Sequence, residues 1–365
     1  MKYYIIAGEA SGDLHASNLM RELKVLDAQA NFRCWGGDLM REQGGKLVKH
    51  YRDLAFMGFT EVLLNIRTIL KNIDLCKKDL LEHKPDVLIL VDYPGFNLRI
   101  AEFAKEKGIK VFYYISPQVW AWKQSRVHKI KRVVDRMFVI LPFEKEFYAK
   151  FDYPVDFVGH PLLDAINNHS AAKGELSLKT TKPIIAILPG SRKQEISRLL
   201  PLMLKMKPHY PAYDFVIAGA PSQEPNYYKE FIGDANVPIV FGQTYLLLQK
   251  AEAALVASGT ATLETALFGV PEVVCYKGGA ISIAIARQLI KIKFISLVNL
   301  IMDKEIVKEL IQADCNETNL KIEMDKLIAP VTRKQMLDSY AELKNKLSGA
   351  GPSKKAAELM IGYLK

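Results

Sequence analysis

The sequence predicts an α/β protein of two doubly wound parallel-sheet domains in series. Three observations carry that expectation. The chain has 365 residues, and at about 150 residues per domain such a length favours two domains. Short β-branched runs alternate with longer segments of helical period, the pattern of βαβ units whose parallel sheet is covered on both faces. The alternation stops once, in a polar stretch at 167–182 rich in Asn, Ser, Lys and Thr, and then restarts. That stretch, with Gly174 inside it and Pro183 at its end, reads as a linker between a first domain at 1–168 and a second at 183–348.

The elements follow in order. Strands are expected at 3–7, 32–35, 87–91, 111–115, 137–140 and 155–158, where β-branched, aromatic and other apolar residues predominate. Between them, apolar residues recur at helical spacing over 14–25, 60–80 and 96–107. After the linker, strands are expected at 184–188, 215–218, 239–241, 254–256 and 273–275, with helices opening at Lys193 and Thr260. Helical segments at 322–327, 332–347 and 353–364 close the chain. No fixed short period recurs, which excludes a solenoid.

Composition narrows the function classes. Hydrophobic residues make up 49% and charged residues 25%, so the chain is globular and not disordered. Lys and Arg number 50 against 40 Asp and Glu, a net charge of +10. The excess is spread over both halves, which argues against a basic tail that grips nucleic acid. A diffuse positive field favours phosphates, nucleotides or an acidic membrane surface. Cys34, Cys76, Cys275 and Cys315 form no CxxC pair, so neither a zinc knuckle nor a disulfide framework is expected, and a reducing compartment is. The apolar run in MKYYIIAGEASGD is too short for a signal peptide. The nearest candidate for a membrane span, 281–301, is broken by Arg287, Lys291 and Lys293.

In doubly wound sheets, ligands bind outside the carboxyl ends of strands. Two such domains in series put a cleft between them, and chemistry is expected where a strand ends in a small or polar turn. Four turns qualify. Gly8-Glu9-Ala10-Ser11-Gly12-Asp13 follows the first strand. Its glycines allow close backbone approach to a ligand, and Glu9, Asp13 and His15 are placed to reach it; a plain helix cap by Ser11 or Asp13 is the simpler reading. Asp92 ends the apolar run at 87–91. A carboxylate beside an apolar sheet has the raised pKa of a general base, although an Asx turn explains it equally. Gly190, Ser191 and Arg192 lie between a strand and a helix, where two N–H groups and a planar cation suit a diphosphate. Ser258, Gly259 and Thr260 repeat that design, with Glu264 one helical turn on, suited either to the hydroxyls of a ribose or merely to the helix dipole.

Several stronger signatures are missing. Gly349 and Gly351 do not extend to GxGxxG, and there is no Walker A, no GxSxG and no HExxH. No two aspartates are spaced as Asp-x-Asp, so a metal held by such a pair is not expected. His160 lines the cleft or is a hydrogen-bonded structural residue. Trp120 and Trp122 precede a basic segment holding Arg126, Lys129, Lys131 and Arg132, a pairing that suits a lipid headgroup, single-stranded nucleic acid or simply a solvated helix. Phe59, Val62, Leu63, Ile66, Ile69, Leu70 and Ile73 form a helical stripe, either core or lipid-facing, with Phe56, Met57 and Leu64 adding bulk beside it.

Taken together, the residues resemble the lipid-A-disaccharide synthase family of bacterial glycosyltransferases. The resemblance runs almost end to end: AGEASGD from Ala7, VDYPGFN from Val91, YISPQVWAWK from Tyr114, LPFE from Leu141, VGHPL from Val158, LPGSR from Leu188, ASGTATLE from Ala257 and SLVNL from Ser296. Each alone is weak; in this order they are specific. Gly95 departs from the common family form, in which an acidic residue often stands, while Asp92, Pro94, Phe96 and Asn97 keep to it.

The resemblance implies the GT-B architecture, two Rossmann-like domains facing a cleft, with no metal or cofactor. It implies that the C-terminal helix at 352–365 crosses back onto the first domain. It also implies a reaction of lipid A and lipopolysaccharide biosynthesis in Gram-negative bacteria. UDP-2,3-diacylglucosamine gives its sugar to 2,3-diacylglucosamine 1-phosphate (lipid X), forming the β(1→6) disaccharide 1-phosphate and UDP. The enzyme would be a cytoplasmic hexosyltransferase, peripheral on the anionic inner face of the inner membrane, with no nucleic acid partner. Its oligomeric state stays open, a homodimer included. On this reading Asp92 is the base, with Glu9 and His15 in reserve. Gly190, Ser191, Arg192, Ser258, Gly259, Thr260 and Glu264 hold UDP, and Asn299 and Gln312 match family positions near the donor. Ser11, Gly12, Phe59, Leu63, Trp120 and Trp122 meet the acceptor and its acyl chains. The competing readings are another GT-B enzyme acting on a UDP sugar, such as an epimerase, and a non-catalytic basic adaptor. An adaptor would have no use for two diphosphate cradles.

Overall fold

The computed structural model describes residues 1–54, 66–122, 124–171, 174–178, 180–278, 293–347 and 351–365. The chain divides into two compact units, 1–165 with 347–365, and 166–346.

The first unit holds seven strands: β1 (Lys2–Ala7), β2 (Asn31–Gly36), β3 (Lys46–His50), β4 (Val87–Val91), β5 (Lys110–Tyr114), β6 (Arg136–Val139) and β7 (Asp156–Phe157). They pair throughout in parallel, in the order β3-β2-β1-β4-β5-β6-β7. All five residues of β4 are buried, as are Tyr3 to Ala7 of β1, which is why these strands are continuous apolar runs. Helices Ala10–Leu26, Ile66–His83, Pro94–Glu106 and Arg126–Val133 are among those that follow these strands. Within the last, Val127, Ile130 and Val133 are buried at helical spacing, and the basic residues between them point outward.

The C-terminal helix Pro352–Leu364 belongs to this unit and packs on helix Ala10–Leu26. Its start is held by Asp164, whose carboxylate accepts from the Ser353 N–H at 2.7 Å. At its far end the Tyr363 hydroxyl donates to Asp156 at 3.1 Å, while the Arg136 guanidinium lies 3.9 Å from the centre of the Tyr363 ring.

The second unit holds β8 (Ile184–Leu188), β9 (Asp214–Gly219), β10 (Ile239–Phe241), β11 (Ala251–Ala257), β12 (Glu272–Tyr276) and β13 (Lys308–Ile311). This sheet is also parallel, in the order β10-β9-β8-β11-β12-β13. Ile184 to Leu188 and Ala253 to Ala257 are buried and form its centre.

The structure departs from the sequence-based expectations at three places. Strands β3 and β13 were not expected. Both are edge strands with two charged residues each, KLVKH and KELI, and both are only partly buried. The segment read as a linker from Asn167 begins as helix, because Leu162–Ala171 runs through the boundary between the units. Of the apolar stripe, Phe59, Val62 and Leu63 lie outside the described residues; beyond them Ile73 is buried, Ile69 packs on the core and Leu70 is half exposed.

Among the described residues, no helix is long and apolar enough to cross a membrane. No cluster of three or more His, Cys, Asp or Glu there is arranged to hold a metal ion. All four cysteines are buried and free.

Candidate active site

Strand order decides where the chemistry can sit. In each sheet the winding reverses once: β1 neighbours β4 in the first, and β8 neighbours β11 in the second. Loops leaving the carboxyl ends of those two strands diverge to opposite faces and open a crevice. The four candidate turns are those that leave β1, β4, β8 and β11. In the first unit Ala7 pairs with Val91, so Glu9 and Asp92 leave neighbouring strands side by side. In the second unit Leu188 pairs with Val256, which sets the turn at Ser191 beside that at Gly259.

The Asp92 turn is strained. Asp92 has φ 44° and Tyr93 has φ 48°, two consecutive non-glycine residues in the left-handed region. That costs roughly 1–2 kcal/mol per residue for L-amino acids, and such strain is characteristic of functional sites. Several contacts hold it. The Asn97 amide Nδ2–H donates to the Asp92 main-chain oxygen at 2.7 Å and to Val91 O at 3.3 Å. The Tyr113 hydroxyl, from β5, donates to the same Asp92 oxygen. The Tyr93 ring lies against Gly8, where an added Cβ would come within 2.3 Å of it. Gly8 is therefore filled by a ring of this chain, not opened to a ligand. Burial pushes the Asp92 carboxyl up to about 7, and the neighbouring Glu9 carboxylate pushes it the same way. A carboxyl poised there is half ionised near neutral pH, which suits a general base.

The other residues expected around this site divide. Glu9 is the N-cap residue of helix Ala10–Leu26 and is partly exposed. Ser11 is exposed in its first turn. Gly12 is buried, and a Cβ there would meet Ala7 Cβ at 3.2 Å, so it serves helix-to-strand packing. Asp13 does not reach toward a ligand. Its carboxylate accepts from the N–H groups of Gly37, Leu39 and Met40, capping helix Asp38–Glu42. His15, the other reserve base expected from the sequence, stands in helix Ala10–Leu26. It is buried, and desolvation takes its pKa down to about 4. The charge Asp92 feels is that of Glu9, whereas His15 is felt by the buried His160, itself held down at about 3. Trp120 packs edge-on against Phe143 at 5.0 Å and joins the core, which leaves only part of the ring exposed. The Trp122 side chain lies outside the described residues. Lys129 and Arg132 in the basic helix both pair with Glu102.

In the second unit the two cradles differ. At the first, Gly190 has φ 107°, and a Cβ there would come within 2.5 Å of a Glu195 oxygen. That glycine lets Glu195 fold back onto the turn. Its carboxylate accepts from the N–H groups of Ser191 at 3.1 Å and Arg192 at 3.3 Å. The turn is thus closed by an anion of the chain itself, and Arg192 stands exposed beside it, 3.5 Å from Glu195. At the second, Gly259 is the N-cap residue of helix Thr260–Leu267, and Gly259 and Thr260 are exposed. Thr262 returns its N–H and hydroxyl to Gly259 O. Among the described residues nothing accepts from the N–H groups of Thr260 or Ala261. Ser258 turns its hydroxyl to Ile295 O at 3.4 Å. One turn further on, Glu264 accepts from the Tyr245 hydroxyl at 3.0 Å. Burial raises its carboxyl, and that hydrogen bond opposes the rise.

Asn299, expected near the donor, has its amide engaged within the chain. It is fully buried, and all four of its amide hydrogen-bond positions are used. Nδ2 donates to Val307 O and Glu309, and Oδ1 accepts from the N–H groups of Ile306 and Val307. It stitches helix Leu297–Met302 to β13. Gln312 stays a candidate, with φ 57° just beyond the end of β13 and an Nε2 group without a partner among the described residues. Tyr113 and Tyr245, which orient Asp92 and Glu264, carry no local signal in the sequence because they come from other elements. Asn97 had one, its place five residues after Asp92 at a helix start.

The comparisons bear on the family and the fold. The family model described as Lipid-A-disaccharide synthetase matches residues 3–359. A lipid-A-disaccharide synthase of Syntrophus aciditrophicus is 40% identical over 372 residues, covering 99% of this chain and 97% of that protein. Lipid-A-disaccharide synthase 1 of Legionella pneumophila is 39% identical over 376 residues, at 99% and 97% coverage. Among solved structures, UDP-GlcNAc 2-epimerase from Neisseria meningitidis bound to UDP-GlcNAc superposes with a TM-score of 0.64 at 15% identity, covering 100% of this chain and 99% of that one. The glycotransferase of kitacinnamycin gives a TM-score of 0.66 at 13% identity, covering 100% and 99%. At such identities these structures share the two-sheet GT-B fold and nothing more. With a family match from end to end and relatives near 40% identity at full length, the chain belongs to the lipid-A-disaccharide synthetase family.

Proposed function

We propose that Asp92 is the general base with which this glycosyltransferase of lipid A biosynthesis joins UDP-2,3-diacylglucosamine to 2,3-diacylglucosamine 1-phosphate. An α-linked donor and a β product require inversion, so one in-line displacement suffices. The acceptor 6-hydroxyl passes its proton to the Asp92 carboxylate as its oxygen attacks the anomeric carbon. The bond from that carbon to the diphosphate oxygen breaks, and UDP leaves with the electron pair.

The second unit binds the nucleotide. The N–H groups of Thr260 and Ala261, at a helix N-terminus, take diphosphate oxygens, and exposed Arg192 adds a planar cation. Glu264 accepts from the ribose hydroxyls with the oxygen capacity that Tyr245 leaves free. Acyl chains on both sugars and a net charge of +10 support a reading in which the enzyme works on an anionic membrane surface, at the cytoplasmic face of the inner membrane.

The observation that carries the reading is the Asp92 carboxyl itself, at the winding reversal beside Glu9 and pushed up to about 7. The test is transfer from labelled diacyl donor to acceptor by wild-type and Asp92→Asn enzyme. Disaccharide 1-phosphate and UDP should form one for one, and the variant should bind UDP normally yet lose about 100- to 10,000-fold in turnover, the usual worth of a positioned base. Release of free sugar without transfer, or full activity in the variant, overturns the assignment. Flotation with anionic vesicles tests the membrane reading.

A further inference from the structure

We propose that Asn97 and Tyr113 are positioning residues for the transfer reaction, clamping the main-chain oxygen of Asp92 so that its carboxyl is held at the end of β4 beside Glu9. The proposal rests on the reading of Asp92 as the base. Three features of the turn support it.

The first is convergence. Two side chains from different elements, Asn97 in helix Pro94–Glu106 and Tyr113 in β5, both donate to one carbonyl oxygen. A carbonyl oxygen has two lone pairs, and both are taken. The second is conformation. With φ at 44° and 48°, Asp92 and Tyr93 occupy a region that side chains other than glycine rarely hold, and a turn of that kind persists only when its surroundings over-determine it. The Asn97 amide also reaches Val91 O at 3.3 Å, and it thereby spans the step from regular strand into left-handed turn. The third is burial. Asn97 and Tyr113 have no exposed surface, so neither can touch substrate, and any effect on the reaction passes through Asp92.

The geometry also explains why the turn is built from polar groups. An apolar side chain at 97 or 113 would fill the space but leave the Asp92 carbonyl with one protein donor in place of two. Relaxing to an ordinary backbone conformation would then swing the carboxyl off the strand end and let water reach it.

The test uses Tyr113→Phe, which removes one hydroxyl and keeps the ring, and Asn97→Ser, which removes the amide, with Asp92→Asn in parallel. Turnover should fall about 10-fold or more in each of the first two, since small misplacements of a catalytic group carry penalties of that size. KM for the UDP sugar should stay within twofold. The acid limb of the kcat profile, near pH 7 in the wild type, should move to lower pH as water reaches the carboxyl. A purely structural role would lower the melting temperature and leave turnover per folded molecule and the acid limb in place, and that result overturns the proposal. If Tyr113→Phe and Asn97→Ser match the wild type while Asp92→Asn is inactive, only the positioning role falls. If Asp92→Asn is itself active, the assignment of the base falls and the positioning role with it. Should Asn97→Ser fail to fold, Tyr113→Phe alone decides.

Discussion

Glu195 lays its carboxylate on the Ser191 N–H at 3.1 Å, filling with an anion of the chain the place where a diphosphate was expected. The matching turn after β11 is open, with the N–H groups of Thr260 and Ala261 lacking any acceptor among the described residues. Two turns that look alike in sequence therefore differ in the property that matters for an anion, the number of unsatisfied donors. Glu195 also places a like charge against any phosphate at Ser191. The open turn is the better cradle.

Thr260→Pro separates the two turns. Proline is tolerated at the first position of a helix, so this change removes one N–H while sparing the fold. UDP should bind about 10-fold more weakly or worse, in line with loss of a hydrogen bond to a charged group. Thr260→Val, which loses only the hydroxyl, should bind within twofold of wild type, as should Glu195→Gln. Titration calorimetry with UDP reads all three. Equal affinity in Thr260→Pro and wild type would remove the turn from the binding site.

Asn299→Ala should act on stability and not on binding. The substitution strips the N–H groups of Ile306 and Val307 and the Val307 carbonyl of their partner in a buried setting, and leaves the Glu309 carboxylate one donor short. The expected loss is about 2–4 kcal/mol of unfolding free energy. KM for the donor should be unchanged in the folded fraction. A raised KM at wild-type stability would return Asn299 to the donor site.

Stability should also report the Asp92 carboxyl. Its folded pKa, about 7, lies above its ordinary value of 3.8, so the native state binds this proton more tightly than the unfolded chain does. The resulting stability is complete below about pH 4 and is lost as pH rises to about 7. Asp92→Asn has no such proton to lose, and asparagine tolerates a positive φ. The variant should therefore gain on the wild type by about 1–2 kcal/mol between pH 4 and pH 8, a figure reduced from 1.4 kcal/mol per unit for partial exposure. His15 and His160, held neutral at about 4 and 3, favour folding above pH 6.5 and lose that advantage as pH falls through the folded values. Both proteins carry them, so they cancel in the difference. Urea unfolding across this range is the measurement, and a difference that does not vary with pH would contradict the raised pKa.

The central strands and the turns that leave them were legible because burial on both faces forces continuous apolar runs, and strand order sets those turns at the winding reversals. What escaped was set by distance along the chain. Asp13 looks like a ligand-facing acid until the N–H groups of Gly37, Leu39 and Met40 are seen upon it. Asn299 looks available until four partners surround it. Tyr113 lies 21 residues from the carbonyl it holds. Strands β3 and β13 escaped because edge strands need only half an apolar pattern. The self-capping of Ser191 and Arg192 had a visible cue in Glu195, placed where a capping box has its acid.

The most direct test of the account is the pH dependence of kcat for transfer, in wild type and in Asp92→Asn. The wild-type rate should rise tenfold per unit below a bend near pH 7 and level off above it, as one carboxyl loses its proton. In Asp92→Asn the residual rate should be low and the bend near pH 7 gone. A variant that keeps the bend at the same pH would show that another group accepts the proton, and Asp92 would no longer be the base.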